Sequence, residues 1–135
     1  MTPRTILLVD DDVEILMLYR LALKRKSDWN IFSATDGPTA LKQAAQCHPD
    51  IVVLDVMLPG EMTGVDICQR LRSQPDTAHV LVVMLSALSD RTIHQAAFAA
   101  GAHEFWHKPV PLSEFSMRLE AMMAKADATL DVFSG

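Results

Sequence analysis

The feature that most constrains this chain is an alternation. Apolar runs of strand length, TILLV (5–9), WNIFSAT (29–35), IVVLD (51–55), VLVVML (80–85) and HEFWH (103–107), are separated by amphipathic stretches over 12–26, 37–47, 64–73, 89–100 and 112–126. TILLV, IVVLD and VLVVML are nearly continuous aliphatics, which suits parallel strands covered by helices on both faces. Strand then helix, five times over, predicts an open, doubly wound α/β fold. The chain has 135 residues, 50% of them hydrophobic, which is enough for one domain around one core and too little for two.

Local punctuation agrees with this division. Asp36-Gly37-Pro38 opens the second helix, and Pro49-Asp50 separates it from the third strand. Gly101 stands where a left-handed cap would end the fourth helix, and Pro111 suits the start of the fifth. The stretch after Lys125, ADATLDVFSG, reads equally as a helix end, a frayed tail or a linker. The expected division is one domain over 1–126, with 127–135 a C-terminal tail or the start of a linker.

Composition excludes several function classes. A formal net charge of −5 argues against a nucleic-acid surface, which needs clustered Lys and Arg. The basic run Lys24 to Lys26 suits a helix C-terminus, where cations offset the dipole. No apolar run approaches the roughly 18 to 20 residues of a membrane span, and no signal-peptide pattern appears, so a cytoplasmic location is expected. Cys47 and Cys68 stand apart on expected helices and read as reduced thiols. The five histidines lack zinc-ligand spacing and read as scattered surface groups.

The chemistry gathers at the carboxyl ends of the strands, where open parallel sheets bind ligands. Asp10 and Asp11 follow the first strand, Asp55 ends the third, Ser86 follows the fourth and Lys108 follows the fifth. Carboxylates packed together repel and raise one another's pKa unless a cation sits among them. Mg²⁺ (or Mn²⁺) is the simplest remedy, since it takes oxygen ligands and usually one or two carboxylates plus a phosphate oxygen. A lysine and a hydroxyl would be surplus in a structural metal site. Together they point to a phosphoryl group whose charge is drawn off by metal and Lys108, hydrogen-bonded by Ser86 and attacked by a carboxylate. Asp12 reads better as a helix N-cap than as a ligand.

LLVDDD, PDIVVLDVMLPGEMTG, VVMLSA, AAGAHEF and HKP, in this order and spacing, resemble the receiver domain of two-component response regulators over residues 4 to 126. The resemblance implies a flavodoxin-like sheet in the order 2-1-3-4-5. It implies Asp55 as phosphoacceptor, Asp11 and Asp55 as direct metal ligands, Asp10 as a ligand through water, and the Met57 backbone carbonyl as a further ligand. Lys108 would hold first the aspartates and then the phosphoryl oxygens. Ser86 would move toward the acyl phosphate, Ala87 would supply a backbone N–H, and Phe105 would be the switch aromatic. The Lys108-Pro109 peptide is expected to be cis.

By the same resemblance, the donor is a sensor histidine kinase or a histidine phosphotransfer protein. The output face is formed by the fourth helix, fifth strand and fifth helix, and the domain is no enzyme beyond its own phosphotransfer and slow self-dephosphorylation. That slowness is inferred from Met57 and Leu88, apolar where many relatives carry polar groups. The loop after Asp55 is one residue longer than the common form and carries Thr63 where Asp is frequent. Val110 replaces a common Phe.

The first helix is apolar nearly all round, with Arg20 its one polar residue from Ile15 to Leu23. Ile15, Leu18 and Ala22 form an inward line, which leaves Leu16, Met17 and Leu21 for a docking or homodimer surface, or for a broad core stripe. Trp106 reads either as part of a partner surface or as partly buried packing. An unphosphorylated interaction module would predict a lost aspartate or lysine, and none is lost. A Mg²⁺-dependent aspartyl-phosphate phosphohydrolase would want a second acid two residues after Asp55, where Met57 stands.

Overall fold

The computed structural model describes residues 3–26, 28–88 and 90–134. The strands are β1 (Arg4–Val9), β2 (Trp29–Ala34), β3 (Ile51–Asp55), β4 (Leu81–Ser86) and β5 (Glu104–His107). They alternate with the helices α1 (Val13–Lys26), α2 (Gly37–Cys47), α3 (Gly64–Ser73), α4 (Arg91–Ala99) and α5 (Leu112–Ser134). All pairings are parallel and the order is β2-β1-β3-β4-β5, the expected doubly wound α/β arrangement. Residue 89, the expected start of the fourth helix, lies outside the described residues, and α5 continues past Lys125.

Side chains near each helix start set its position. Asp36 Oδ1 accepts the Thr39 N–H at 2.8 Å with Pro38 in the first turn of α2. Thr63 and Asp66 form a reciprocal capping box at α3, and Asp90 caps α4. Asp12 Oδ1 accepts the N–H groups of Glu14 and Ile15 at the head of α1, the role expected for it. Gly101 has φ +108, and the side chain of Arg72 fills the space where a Cβ would stand. The Lys108-Pro109 peptide is cis.

Two apolar layers sandwich the sheet. One packs Ala40 and Ala44 of α2, Ile67 and Leu71 of α3, and Ala97 of α4 against Leu7, Val52, Leu54 and Met84. The other packs α1 and α5 against Ile6, Leu8, Val53 and Leu85.

This second layer corrects the expected phase of α1. Leu16, Tyr19 and Leu23 face inward, whereas Leu18 is 42% exposed and Leu16 only 6%. Leu16 therefore belongs to the core and not to a partner face, while Met17 and Leu21 are exposed as expected. Once Asp12 sets the helix start, the line facing the sheet runs i, i+3, i+7 from Leu16, and Tyr19 stacks on Phe115 with centroids 4.2 Å apart.

Trp106 is also corrected. Successive side chains of β5 point to opposite faces, so Phe105 turns toward α4 while Trp106 turns into the α5 layer, 6% exposed. Its Nε1–H donates to Glu104 Oε1 at 2.8 Å, and the Arg118 guanidinium lies 5.4 Å from its ring centre. Trp106 is packing and presents no partner surface.

Candidate functional site

The strand order places the site. The chain leaves β1 toward β2 on one side and returns to β3 on the other, so a crevice opens between β1 and β3 at their carboxyl ends. Asp10 follows β1 and Asp55 ends β3, and both are buried, at 2% and 6% exposure. Asp11 beside them is exposed. One carboxylate oxygen from each of the three lies within 4.8 Å of the others, and this is the cluster of potential metal ligands among the described residues.

Lys108 enters from the end of β5. Its Nζ donates to Asp10 Oδ2 at 2.8 Å and to Asp55 Oδ2 at 2.9 Å. The opposite oxygens are held by backbone: Asp10 Oδ1 accepts the Asp12 N–H at 2.9 Å, and Asp55 Oδ1 accepts the Met57 N–H at 3.2 Å. Both carboxylates are thereby oriented before any ligand arrives. Burial pushes the Asp55 pKa up, and the Asp10 charge adds to this, against the pull of the Lys108 hydrogen bond and charge. Burial also acts to lower the Lys108 pKa, but its hydrogen bonds to Asp10 and Asp55 outweigh that and hold the ammonium above its ordinary value.

The donor set fits a hard divalent cation. It offers only oxygens, two of the carboxylates are fixed, and the third, on exposed Asp11, leaves room for the waters that Mg²⁺ retains.

The remaining expected residues surround this centre. Ser86 ends β4, is 1% exposed, and its Oγ accepts the Leu88 N–H at 3.0 Å, while Ala87 follows at the surface. Met57 is 58% exposed beside Asp55. Phe105 lies half-buried against the α4 layer, its ring 3.9 Å from that of His94.

Three contributors had escaped sequence reasoning. Gly64 opens α3 so close to Asp55 that a Cβ there would lie 2.4 Å from the Asp55 carbonyl oxygen, and its N–H donates to Val56 O at 2.9 Å. Its sequence signal was the Thr-Gly pair heading an amphipathic stretch. Tyr19 is buried in the α1–α5 layer against Phe115; burial raises its pKa most, and the charges of Lys108, Asp10 and Asp55 reach it. No periodicity distinguishes it from the other apolar residues of α1. His94, whose spacing suggests a scattered surface histidine, covers Phe105, a contact between separate elements that spacing cannot show.

The chain matches the response regulator receiver domain family over residues 6–120. It is 39% identical over 104 residues to the response regulator PleD of Caulobacter vibrioides, covering 77% of this chain and 23% of that protein. It is 34% identical over 124 residues to the alkaline phosphatase synthesis transcriptional regulatory protein PhoP of Bacillus subtilis, covering 92% of this chain and 50% of that one. It thus spans half the length of the second relative and less of the first. The BeF3-activated N-terminal receiver domain of Klebsiella pneumoniae RstA superposes with a TM-score of 0.77 at 30% identity, covering 87% of this chain and 97% of that one. A five-stranded parallel sheet of this order, an acidic crevice at its switch point and a lysine reaching into it accompany these likenesses, and the chain belongs to the response regulator receiver domain family of two-component systems.

Proposed function

We propose that the domain is a phosphorylation-activated switch whose phosphoacceptor is Asp55. The observation that carries this reading is the Lys108 ammonium held between Asp10 and Asp55, at the edge of a three-carboxylate cluster. An Asp55 oxygen attacks the phosphorus of a phosphohistidine on a sensor kinase or phosphotransfer protein. The P–N bond breaks, the imidazole leaves with its electron pair, and an aspartyl phosphate forms. Asp11, Asp55 and the Met57 carbonyl, with Asp10 through water, are the residues that would hold Mg²⁺ (or Mn²⁺), and the ion would neutralise phosphoryl charge. Lys108 then moves its hydrogen bonds from the carboxylates to a phosphoryl oxygen, helped by Ser86 Oγ–H and the Ala87 N–H. Phe105 follows Ser86 inward and alters the face made by α4, β5 and α5.

α1 starts next to the acidic crevice, and its exposed apolar side chains Val13, Met17 and Leu21 suit docking of a donor helix. Apolar Met57 and Leu88 near the acceptor offer hydrolytic water no polar partner, so self-dephosphorylation is slow.

Intact mass after incubation with Mg²⁺ and acetyl phosphate tests the reading. A Mg²⁺-dependent phosphoryl adduct is expected in the wild type and not in Asp55→Asn. An adduct that survives this substitution would place the acceptor elsewhere. Its absence from both would leave a constitutive interaction module.

A further inference from the structure

Phe105, the proposed switch aromatic, also belongs to a ring cluster whose imidazoles the phosphotransfer step does not use. Phe105 and His107 share a face of β5, because they are two residues apart on a strand, and His94 of α4 lies over both. His94 stacks on Phe105 with centroids 3.9 Å apart and planes 29° apart, and Phe105 meets His107 edge-on at 5.7 Å. The two imidazoles are 5.2 Å apart, centre to centre.

That spacing suits a shared metal ion. A nitrogen ligand at about 2.0 to 2.1 Å puts a ring centre about 3.2 Å from the ion, and a tetrahedral angle between two such rings separates their centres by about 5.2 Å. A half-turn of His94 about Cβ–Cγ swaps Nδ1 with Cδ2 and Nε2 with Cε1 while keeping the ring plane on Phe105, so either ring edge can present a nitrogen. His94 is half-buried and His107 exposed, which leaves the gap open to solvent. No third imidazole, thiolate or carboxylate among the described residues completes a cluster here, so water would fill the remaining positions.

We propose that His94 and His107 form a second metal site, with two nitrogen ligands, for a borderline divalent transition ion such as Zn²⁺, Ni²⁺ or Cu²⁺. Ligand chemistry separates it from the acidic crevice, where an all-oxygen set suits Mg²⁺. One ligand comes from a helix and the other from a strand, so the bound ion ties α4 to β5.

Calorimetric titration of the purified chain with ZnCl₂ and NiCl₂, in buffer already saturating in Mg²⁺, tests this. One ion per chain is expected to bind in the micromolar range. His94→Gln and His107→Gln should each weaken binding by about tenfold or more, since even outer-shell changes cost that much. His79→Gln and Asp55→Asn should leave it unchanged. Paramagnetic broadening of amide resonances by Ni²⁺ locates the ion in the unmodified chain and is expected over Arg91–Ala99 and Glu104–His107. Absence of binding at millimolar ion, affinity indifferent to both glutamine variants, or broadening centred on Asp10 and Asp55 would each overturn the proposal. In the first two cases the rings are packing alone. None of these results bears on whether Asp55 accepts a phosphoryl group.

Discussion

The two edges of this one sheet handle polar groups in opposite ways. At the amino edge the loop backbone groups are matched by side chains, although the buried Trp29 Nε1 at the start of β2 has no partner. Arg72 donates to the carbonyls of Ala78, Val80 and Gly101 at 2.7 to 3.3 Å, closing the loops before β4 and β5 with one guanidinium. Asp50 accepts the Thr5 N–H at 2.8 Å through its side chain, while its backbone pairs with Thr5 and Leu81. His103 Nδ1 accepts the Val82 N–H at 3.1 Å, and burial, then the Arg72 charge, lower its pKa, so the ring stays neutral in that role. At the carboxyl edge two buried carboxylates and an exposed third face a single ammonium, with negative charge in excess. A fold needs only one such edge to be stable. The other can carry unbalanced charge, which the proposed cation and phosphoryl group would exploit.

Arg72→Ala should break the contrast most severely. It leaves the carbonyls of Ala78, Val80 and Gly101 without their donor and should cost about 3 kcal/mol in urea denaturation, with acceptor chemistry at the far edge intact. A loss below about 1 kcal/mol would mean that water replaces the guanidinium and that the amino edge is less dependent on matching than its geometry implies.

Lys108→Ala is next. Removing the one cation from a pair of buried carboxylates should cost about 2 kcal/mol, less than a fully enclosed pair would lose because water reaches the crevice beside Asp11. Adduct formation with acetyl phosphate should fall with it.

Asp55→Asn should act in the opposite direction. The folded-state pKa of Asp55 is raised above its ordinary 3.8, so its share of stability is complete below that value and is lost as pH rises through the raised one. At pH 7 without divalent ions the asparagine variant should be more stable by about 1 kcal/mol, and the gain should shrink as pH falls through the raised pKa. Saturating Mg²⁺ should reverse the ranking, because binding to the folded state alone adds about 2.7 kcal/mol at a hundredfold excess over Kd. A variant no more stable than wild type at pH 7 would show that Lys108 fully compensates the acidic centre.

Some of this is written locally and some is not. The amino-acid sequence by itself determined the alternation of elements, because strand and helix periods are short-range patterns. It also determined the caps at Asp12 and Asp36, where a side chain meets backbone two or three residues away, and the placement of Asp10, Asp11, Asp55, Ser86 and Lys108 at strand ends. Tertiary structure decided what depends on distant partners. A helix apolar on every side has no preferred face until it meets a sheet, so Leu16 and Tyr19 were chosen over Leu18 by packing against Phe115 and β1, with Ile15 partly buried beside them. Trp106 went inward because of the parity of β5 and the position of Arg118. Gly64 acquired its importance only where α3 starts against the Asp55 carbonyl. The meeting of His94 with Phe105 and His107, and the bonds from Arg72 across two loops, join elements whose spacing in the chain carries no trace of contact.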